Sequence, residues 1–275
     1  MIKKQYGVIG YGGKIGSLLV QRPNFVPIGC DITDLKEVEA LGDHIRKRMK
    51  LDVIVNCAAI SSISECERDY ERAIAVNVHG LTNLHRVFGD RVLNISTEQV
   101  FSGKEDFTPS EGSDPDPINE YGMTKLAAES VSAVWGGKTI RLSRTVGITD
   151  PDISSYLFNL GNENQITVPD FFTRSYIHRE FVADGIEYMV ENWDRMPNLV
   201  HYSGAEVISM FSFVKKLAIA VGNDPKNVER RSQYDSSISP RPMRGGLNIS
   251  LAQSLGFPIY DISDTVSKLA EDFND

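Results

Sequence analysis

Along the first half of the chain, short apolar runs rich in β-branched residues alternate with longer stretches in which apolar residues recur every three or four positions. Runs with no polar alternation, such as Val53-Ile54-Val55, suit strands covered on both faces. The longer stretches suit helices with one apolar side. The pattern predicts strands at 6–9, 25–28, 52–57, 92–95 and 139–142, and helices at 14–21, 35–49, 65–88 and 120–134. Strand and helix in strict alternation make βαβ units, so the expected fold is α/β, a Rossmann-type doubly wound parallel sheet.

The alternation loosens after Gly147. Asp150-Pro151-Asp152, Gly161-Asn162, Pro169-Asp170, Asp224-Pro225 and Ser239-Pro240-Arg241-Pro242 punctuate shorter elements, and helices are predicted only at 180–193, 210–221 and 264–273. This half is too broken for a second sheet of the same kind. It reads as a smaller cap over the sheet's carboxyl edge, made of 148–174 and 201–275, with 175–200 returning to the domain formed by 1–147.

Composition adds exclusions. At roughly 150 residues per domain, 275 residues make just under two domains. With 41% hydrophobic and 24% charged residues the chain is an ordinary globular one. The 29 basic residues against 37 acidic give a net charge of −8 without any basic run, which disfavours nucleic acid and anionic membrane as partners. Cys30, Cys57 and Cys66 form no C-x-x-C pair, and an odd count argues against a disulfide framework, so a cytoplasmic location is expected. The first apolar run stops at Gly10, too short for a signal peptide, and no stretch nears the roughly 18 apolar residues that span a bilayer. The five histidines lack zinc-type spacing, so no metal is predicted.

The first predicted strand runs into Gly10-Tyr11-Gly12-Gly13-Lys14-Ile15-Gly16. Glycines at that spacing allow a tight turn and let backbone N–H groups approach a pyrophosphate. Asp31 follows 21 positions after Gly10, at the end of the next predicted strand, where a carboxylate meets a ribose. Val55-Asn56-Cys57-Ala58-Ala59 ends the third strand with small residues that leave room for a nucleotide. Together they predict a dinucleotide cofactor, NAD or NADP. Asp31 favours NAD slightly, because a carboxylate accepts from a 2′-hydroxyl and repels a 2′-phosphate.

Ser96-Thr97 closes the fourth predicted strand, and Tyr121-Gly122-Met123-Thr124-Lys125 opens the helix after a loop rich in Pro, Asp and Gly. A separation of four puts Tyr121 and Lys125 on one helical face. A phenol becomes a usable acid or base near neutrality only beside such a charge. Of the ten tyrosines, only Tyr121 has lysine four positions on.

With these blocks in view the whole chain resembles the extended short-chain dehydrogenase/reductase superfamily, and within it the dTDP-4-dehydrorhamnose reductase family that binds nucleotide sugars. The resemblance rests on Gly10-x-x-Gly13-x-x-Gly16, Asp31-Ile32-Thr33-Asp34, Asp52-Val53-Ile54-Val55-Asn56-Cys57-Ala58-Ala59 and Ala75-Val76-Asn77-Val78. It continues through Ile95-Ser96-Thr97-Glu98-Gln99-Val100-Phe101-Ser102-Gly103, Pro117-Ile118-Asn119-Glu120-Tyr121-Gly122-Met123-Thr124-Lys125-Leu126-Ala127-Ala128-Glu129 and Arg241-Pro242. What it implies is NAD(P)H-dependent reduction of a nucleoside-diphosphate 4-keto sugar. Tyr121 would give the proton, Lys125 would lower its pKa and hold the nicotinamide ribose, and Thr97 would bond the reacting oxygen. Gly10, Gly13, Lys14, Ile15, Gly16, Asp31, Ile32, Cys57, Ala58, Ala59, Asn77 and Ser96 would join Tyr121 and Lys125 around the cofactor. Ser61, Thr97, Gln99, Arg144 and Arg241 would face the substrate, Arg241 at its diphosphate. Two blocks depart from the family: Glu98-Gln99 stands where Asp-Tyr is usual after Ser-Thr, and Arg141-Leu142-Ser143-Arg144 where Arg-Thr-Ser-Trp is usual. Both departures change shape and charge at the sugar site.

Two other readings share these residues. One is an epimerase that keeps its NAD and re-reduces the carbon it oxidised. The other is a non-catalytic regulatory subunit resembling the β subunit of methionine adenosyltransferase. The sequence leaves a homodimer open.

Overall fold

Strand β1 (Tyr6–Ile9), buried at all four positions, lies inside a six-stranded sheet in which every pairing is parallel. The order is β2 (Phe25–Ile28), β1, β3 (Val53–Asn56), β4 (Val92–Thr97), β5 (Lys138–Leu142) and β9 (Leu199–Tyr202). The computed structural model describes residues 4–104, 107–232 and 240–274. Because β2 and β3 flank β1 on opposite sides, the winding reverses there, and a crevice opens at the carboxyl ends of β1 and β3.

Helices cover both faces, which is why the strands carry no polar alternation. On one face α2 (Leu35–Arg48), α5 (Leu81–Phe88) and α6 (Glu120–Val134) bury Val38, Ile45, Leu81, Leu84 and Ala128 against Ile9, Ile54 and Val92. On the other, α1 (Gly16–Leu19), α8 (Arg179–Glu191) and α10 (Ser250–Leu255) bury Leu19, Val182, Ile186 and Ala252 against Tyr6, Val8, Val55 and Leu93. The segment around Ile249 to Phe257, which the sequence pattern placed in the cap, thus packs on the main sheet.

Two helices differ from the periodicity. The helix expected at 14–21 shrinks to Gly16–Leu19, since Pro23 disfavours helical backbone before it and Arg22 turns to pair with Asp184 and Glu187 on α8. The helix expected at 65–88 is broken into α3 (Ile63–Arg68), α4 (Tyr70–Ile74) and α5, with one widened π turn over Ala75–Gly80. Asp69 leaves the helical conformation and its carboxylate accepts from the Arg72 amide at 3.1 Å, restarting the helix.

The remaining elements form a second core. Strands β10 (Val207–Ser209), β8 (Thr173–His178) and β6 (Arg144–Val146) make one small sheet, and β11 (Val228–Arg231) pairs with β7 (Ile166–Pro169). Helices α7 (Pro151–Gly161), α9 (Met210–Ala220) and α11 (Ile262–Asn274) close over them, with Ile153, Leu157, Tyr176, Phe213, Leu217 and Leu269 buried between. Strands of three or four residues give too little alternation to be read from sequence. Strand β8 hides itself differently, because its Arg174, Ser175 and His178 are buried polar residues.

Candidate active site

The crevice between the main sheet and the second core is a cavity of about 760 Å³. Into it project the glycine loop, the carboxyl ends of β3, β4 and β5, the start of α6 and the small sheet. Of the residues expected at the site, Gly13, Lys14, Ile15, Cys57, Ala59, Ser61, Ser96, Thr97, Gln99, Tyr121, Lys125, Arg144 and Arg241 line it. Gly10, Gly16, Asp31, Ile32, Ala58 and Asn77 do not.

The glycine loop fits a closely held phosphate. Gly10 has φ of +73°, and a Cβ there would meet the Ala58 amide at 2.5 Å, while one on Gly16 would press on the Gly10 carbonyl. The Gly13 amide donates to that carbonyl at 3.0 Å, and a Cβ on Gly12 would meet nothing. The loop is therefore packed tight on its inner side and open on its outer side, as backbone approach to a diphosphate requires. Lys14 reaches across the cavity to Asp150 at 2.5 Å, and Asp150 also accepts from Arg179 at 3.0 Å and from the Gly147 amide at 2.9 Å. Burial draws the Asp150 pKa up, but Lys14, Arg144 and Arg179 together hold it below the usual range.

Two expected cofactor residues act from behind instead. Ile32 is core, packed so close to Gly80 that a Cβ on that glycine would meet it at 2.6 Å. Asn77, carried on the π turn, accepts from the Ile60 amide at 2.8 Å and donates to the Ile60 carbonyl and the Thr124 hydroxyl, each at 3.0 Å. Its amide is fully engaged in tying the strand-end loop to α6, so it is a positioning residue. Asp31 stands three residues past β2, exposed, its carboxylate held by the amide and hydroxyl of Thr33 at 2.8 and 2.7 Å. Those two bonds lower its pKa, and the Asp31 amide donates to Glu37 at 2.9 Å, so two carboxylates share this corner.

Helix α6 starts at Asn119, whose side chain accepts from the Gly122 amide at 2.8 Å and donates to Gln99 at 3.1 Å. That cap fixes the turn that brings Tyr121 to Thr97 and sets Lys125 one turn further along the cavity wall. Burial pushes the Tyr121 phenol up to about 12, against the lowering effect of its hydrogen bond with Thr97. Burial pulls the Lys125 ammonium down to about 8, against the charge of Glu129 one turn on. The phenol thus keeps its proton at neutral pH, and the lysine carries a charge that is easily lost. Burial outweighs the lowering expected from Lys125, so the net shift of the Tyr121 phenol is upward. Glu129 accepts from Ser96 and from Arg141 Nε and Nη2 at 2.8 and 2.7 Å, and Arg141 meets His201 at 3.1 Å. This buried ion pair fixes the far end of the Tyr121–Lys125–Glu129 face. Burial also drives the Cys57 thiol to about 12, leaving it inert.

The opposite wall holds residues that the sequence did not reveal. Glu98 is buried and pairs with Arg174 at 2.8 Å while accepting from Ser143 and the Gly246 amide at 2.5 and 2.6 Å. Arg174 donates in turn to the Pro242 carbonyl at 2.5 Å, fixing the loop that carries Arg241. Tyr176 and Arg179 belong to the same wall. The signal for them was a strand in which polar residues alternate toward one side, but it lies in a stretch dominated by turn residues. Among the described residues no group of His, Cys, Asp and Glu converges as a metal cage, and no helix is long and apolar enough to cross a membrane.

Comparison with known proteins agrees with this architecture. Residues 8–274 match the family described as RmlD substrate binding domain. The chain is 28% identical to a probable low-salt glycan biosynthesis reductase, Agl14, of Haloferax volcanii, over 95% of this chain and 90% of that protein. It is also 28% identical to the dTDP-4-dehydrorhamnose reductase of Mycolicibacterium smegmatis, over 86% and 74%. Among solved structures, the dTDP-4-dehydrorhamnose reductase of Bacillus anthracis, in complex with NADP, superposes with a TM-score of 0.85 at 22% identity, covering 97% of this chain and 98% of that one.

Proposed function

As this chain belongs to the RmlD substrate binding domain family, we propose that it uses NAD(P)H to reduce the keto group of a nucleoside-diphosphate 4-keto sugar. The observation that carries the reading is Tyr121 with its proton held at neutral pH, bonded to Thr97 beside a buried Lys125, at the floor of a cavity that begins at the glycine loop. Relatives named as reductases of nucleotide-linked keto sugars support it.

A nicotinamide cofactor held along the glycine loop and the strand ends would supply the hydride, and residues of this chain would position the ketone and provide the proton. Thr97 holds the carbonyl oxygen against the Tyr121 hydroxyl. Tyr121 transfers its proton to that oxygen as negative charge develops there, so that ketone and reduced cofactor become alcohol and oxidised cofactor. Lys125 is charged below about pH 8 and stabilises the phenolate left behind. The backbone at 12–14 and Lys14 would receive the cofactor's pyrophosphate. Arg241 is the candidate for the substrate's diphosphate, its loop pinned through Pro240 to Asn119 at 3.0 Å and through Pro242 to Arg174.

The division of labour we propose gives the main sheet and the helices packed on it to the cofactor, and the second core around β6, β8 and α9, together with the substrate-facing residues at the ends of β4 and β6, to the sugar nucleotide. Asp31 and Glu37 at the ribose corner make NAD the better cofactor, because a 2′-phosphate would meet two carboxylates. NADH should give at least a tenfold higher kcat/KM than NADPH, and Asp31→Ser should narrow that ratio. A ratio below one in the wild-type protein would refute the preference.

The proton step has its own test. Tyr121→Phe keeps the ring and removes the donor, so turnover should fall by about two to four orders of magnitude with little change in cofactor affinity. Unchanged turnover would remove Tyr121 from the reaction.

A further inference from the structure

Resting on the nucleotide-sugar reading, we propose that Arg144 and Tyr176 form an anion-receiving subsite for a carboxylate borne by the sugar. The cavity's hydrogen-bonding groups are out of balance. Its carboxylates are already matched: Glu98 by Arg174, Ser143 and Gly246, Asp150 by Lys14, Arg179 and Gly147, and Asp152 by Arg144. Donors are left over. Arg144 gives one nitrogen, Nη2, to both oxygens of Asp152 at 2.8 and 2.6 Å, and among the described residues its Nε and Nη1 have no partner. The Tyr176 residue is only 1% exposed, and among the described residues its buried hydroxyl has no hydrogen-bond partner.

Those donors adjoin each other by construction. Strands β6 and β8 run parallel with Arg144 opposite Tyr176, so both side chains leave the same face of the small sheet toward the cavity. Each is held in place from behind. The Tyr176 ring stacks on Phe213 at 4.2 Å with 9° between planes, and Asp152 on α7 tethers the guanidinium. A fixed guanidinium edge offers donors only and the fixed phenol beside it can add one more, which suits the two acceptor oxygens of a carboxylate. Position relates the pair to the sugar ring. Leu142 is the register partner of Thr97, and Arg144 follows two residues on, along the wall that faces the reacting oxygen.

Isothermal titration of the full chain with UDP, UDP-glucose and UDP-glucuronate, and with the corresponding dTDP series, tests this. The glucuronate should bind at least tenfold more tightly than the glucose compound in whichever series binds. Arg144→Gln should abolish the difference while leaving the affinity for the bare diphosphate unchanged. Tyr176→Phe, which keeps the stacked ring, should reduce the difference severalfold. Equal affinity of the wild-type protein for the two sugars would overturn the proposal alone, as would an Arg144→Gln variant that loses diphosphate affinity to the same extent, since the guanidinium would then serve the phosphates. Failure of both UDP and dTDP to bind would overturn the nucleotide-sugar reading and this proposal with it.

Discussion

Lys125 couples the chemistry to the stability of the fold. An ordinary lysine titrates near 10.5, and burial brings this one to about 8. Between those values the unfolded chain binds the extra proton, so stability rises with pH from about 8 to 10.5, and at pH 7 the folded protein bears the whole cost of a buried charge. Each pH unit of that interval corresponds to about 1.4 kcal/mol. Lys125→Met should therefore raise stability at pH 7, by on the order of 2 kcal/mol in a denaturant titration, while turnover collapses. Wild-type turnover should hold from pH 6 to 7.5 and decline through about 8 as the ammonium is lost. The spacing of Tyr121 and Lys125 was legible because a helix of period 3.6 forces residues four apart together. Their titration was not, because it depends on how deeply loops from elsewhere cover them. Arg174 and Tyr176 stayed hidden for a related reason: a buried polar residue in a short strand looks like a loop residue until its partner, here Glu98 or the cavity, is known.

Helix α6 is the element on which the site turns. Tyr121, Lys125 and Glu129 fall on one face, the Asn119 cap fixes its start and the Glu129–Arg141 pair fixes its middle. Glu129→Gln removes the negative neighbour that supports the Lys125 charge, so the alkaline limb of the pH–rate profile should move to lower pH. The same change leaves Arg141 buried without its counter-charge, which costs about 3–5 kcal/mol in comparable cases. Strands β1, β2 and β3 were legible from their apolar runs, since helices on both faces remove any polar side, whereas β4 and β5 carry buried polar residues such as Asn94, Thr139 and Arg141. The broken 65–88 segment was not, because Asp69 as a cap and the π turn that aims Asn77 leave the hydrophobic period almost intact. Gly80→Ala tests that turn: its methyl would meet Ile32 at 2.6 Å, and a loss of about 1–3 kcal/mol is expected by thermal or chemical unfolding.

At the scale of the whole molecule, a chain of net charge −8 gathers Lys14, Lys125, Arg144, Arg174, Arg179 and Arg241 around one cavity. Four of them are paired, Lys14 and Arg179 with Asp150, Arg144 with Asp152 and Arg174 with Glu98, so the lining holds more cations than carboxylates, which suits diphosphate ligands. That concentration was invisible as a run in the sequence because the six residues come from six separate segments. Reduction requires hydride and proton to reach one carbonyl. Its most direct test is the absorbance of NADH at 340 nm when the purified protein meets a nucleoside-diphosphate 4-keto sugar, with the sugar product analysed. One NADH should disappear for each new 4-hydroxyl formed, and Tyr121→Phe should all but stop both. Sugar conversion without net loss of NADH would contradict reduction in favour of an epimerase with retained cofactor. Binding of cofactor and sugar nucleotide with no conversion would contradict catalysis altogether.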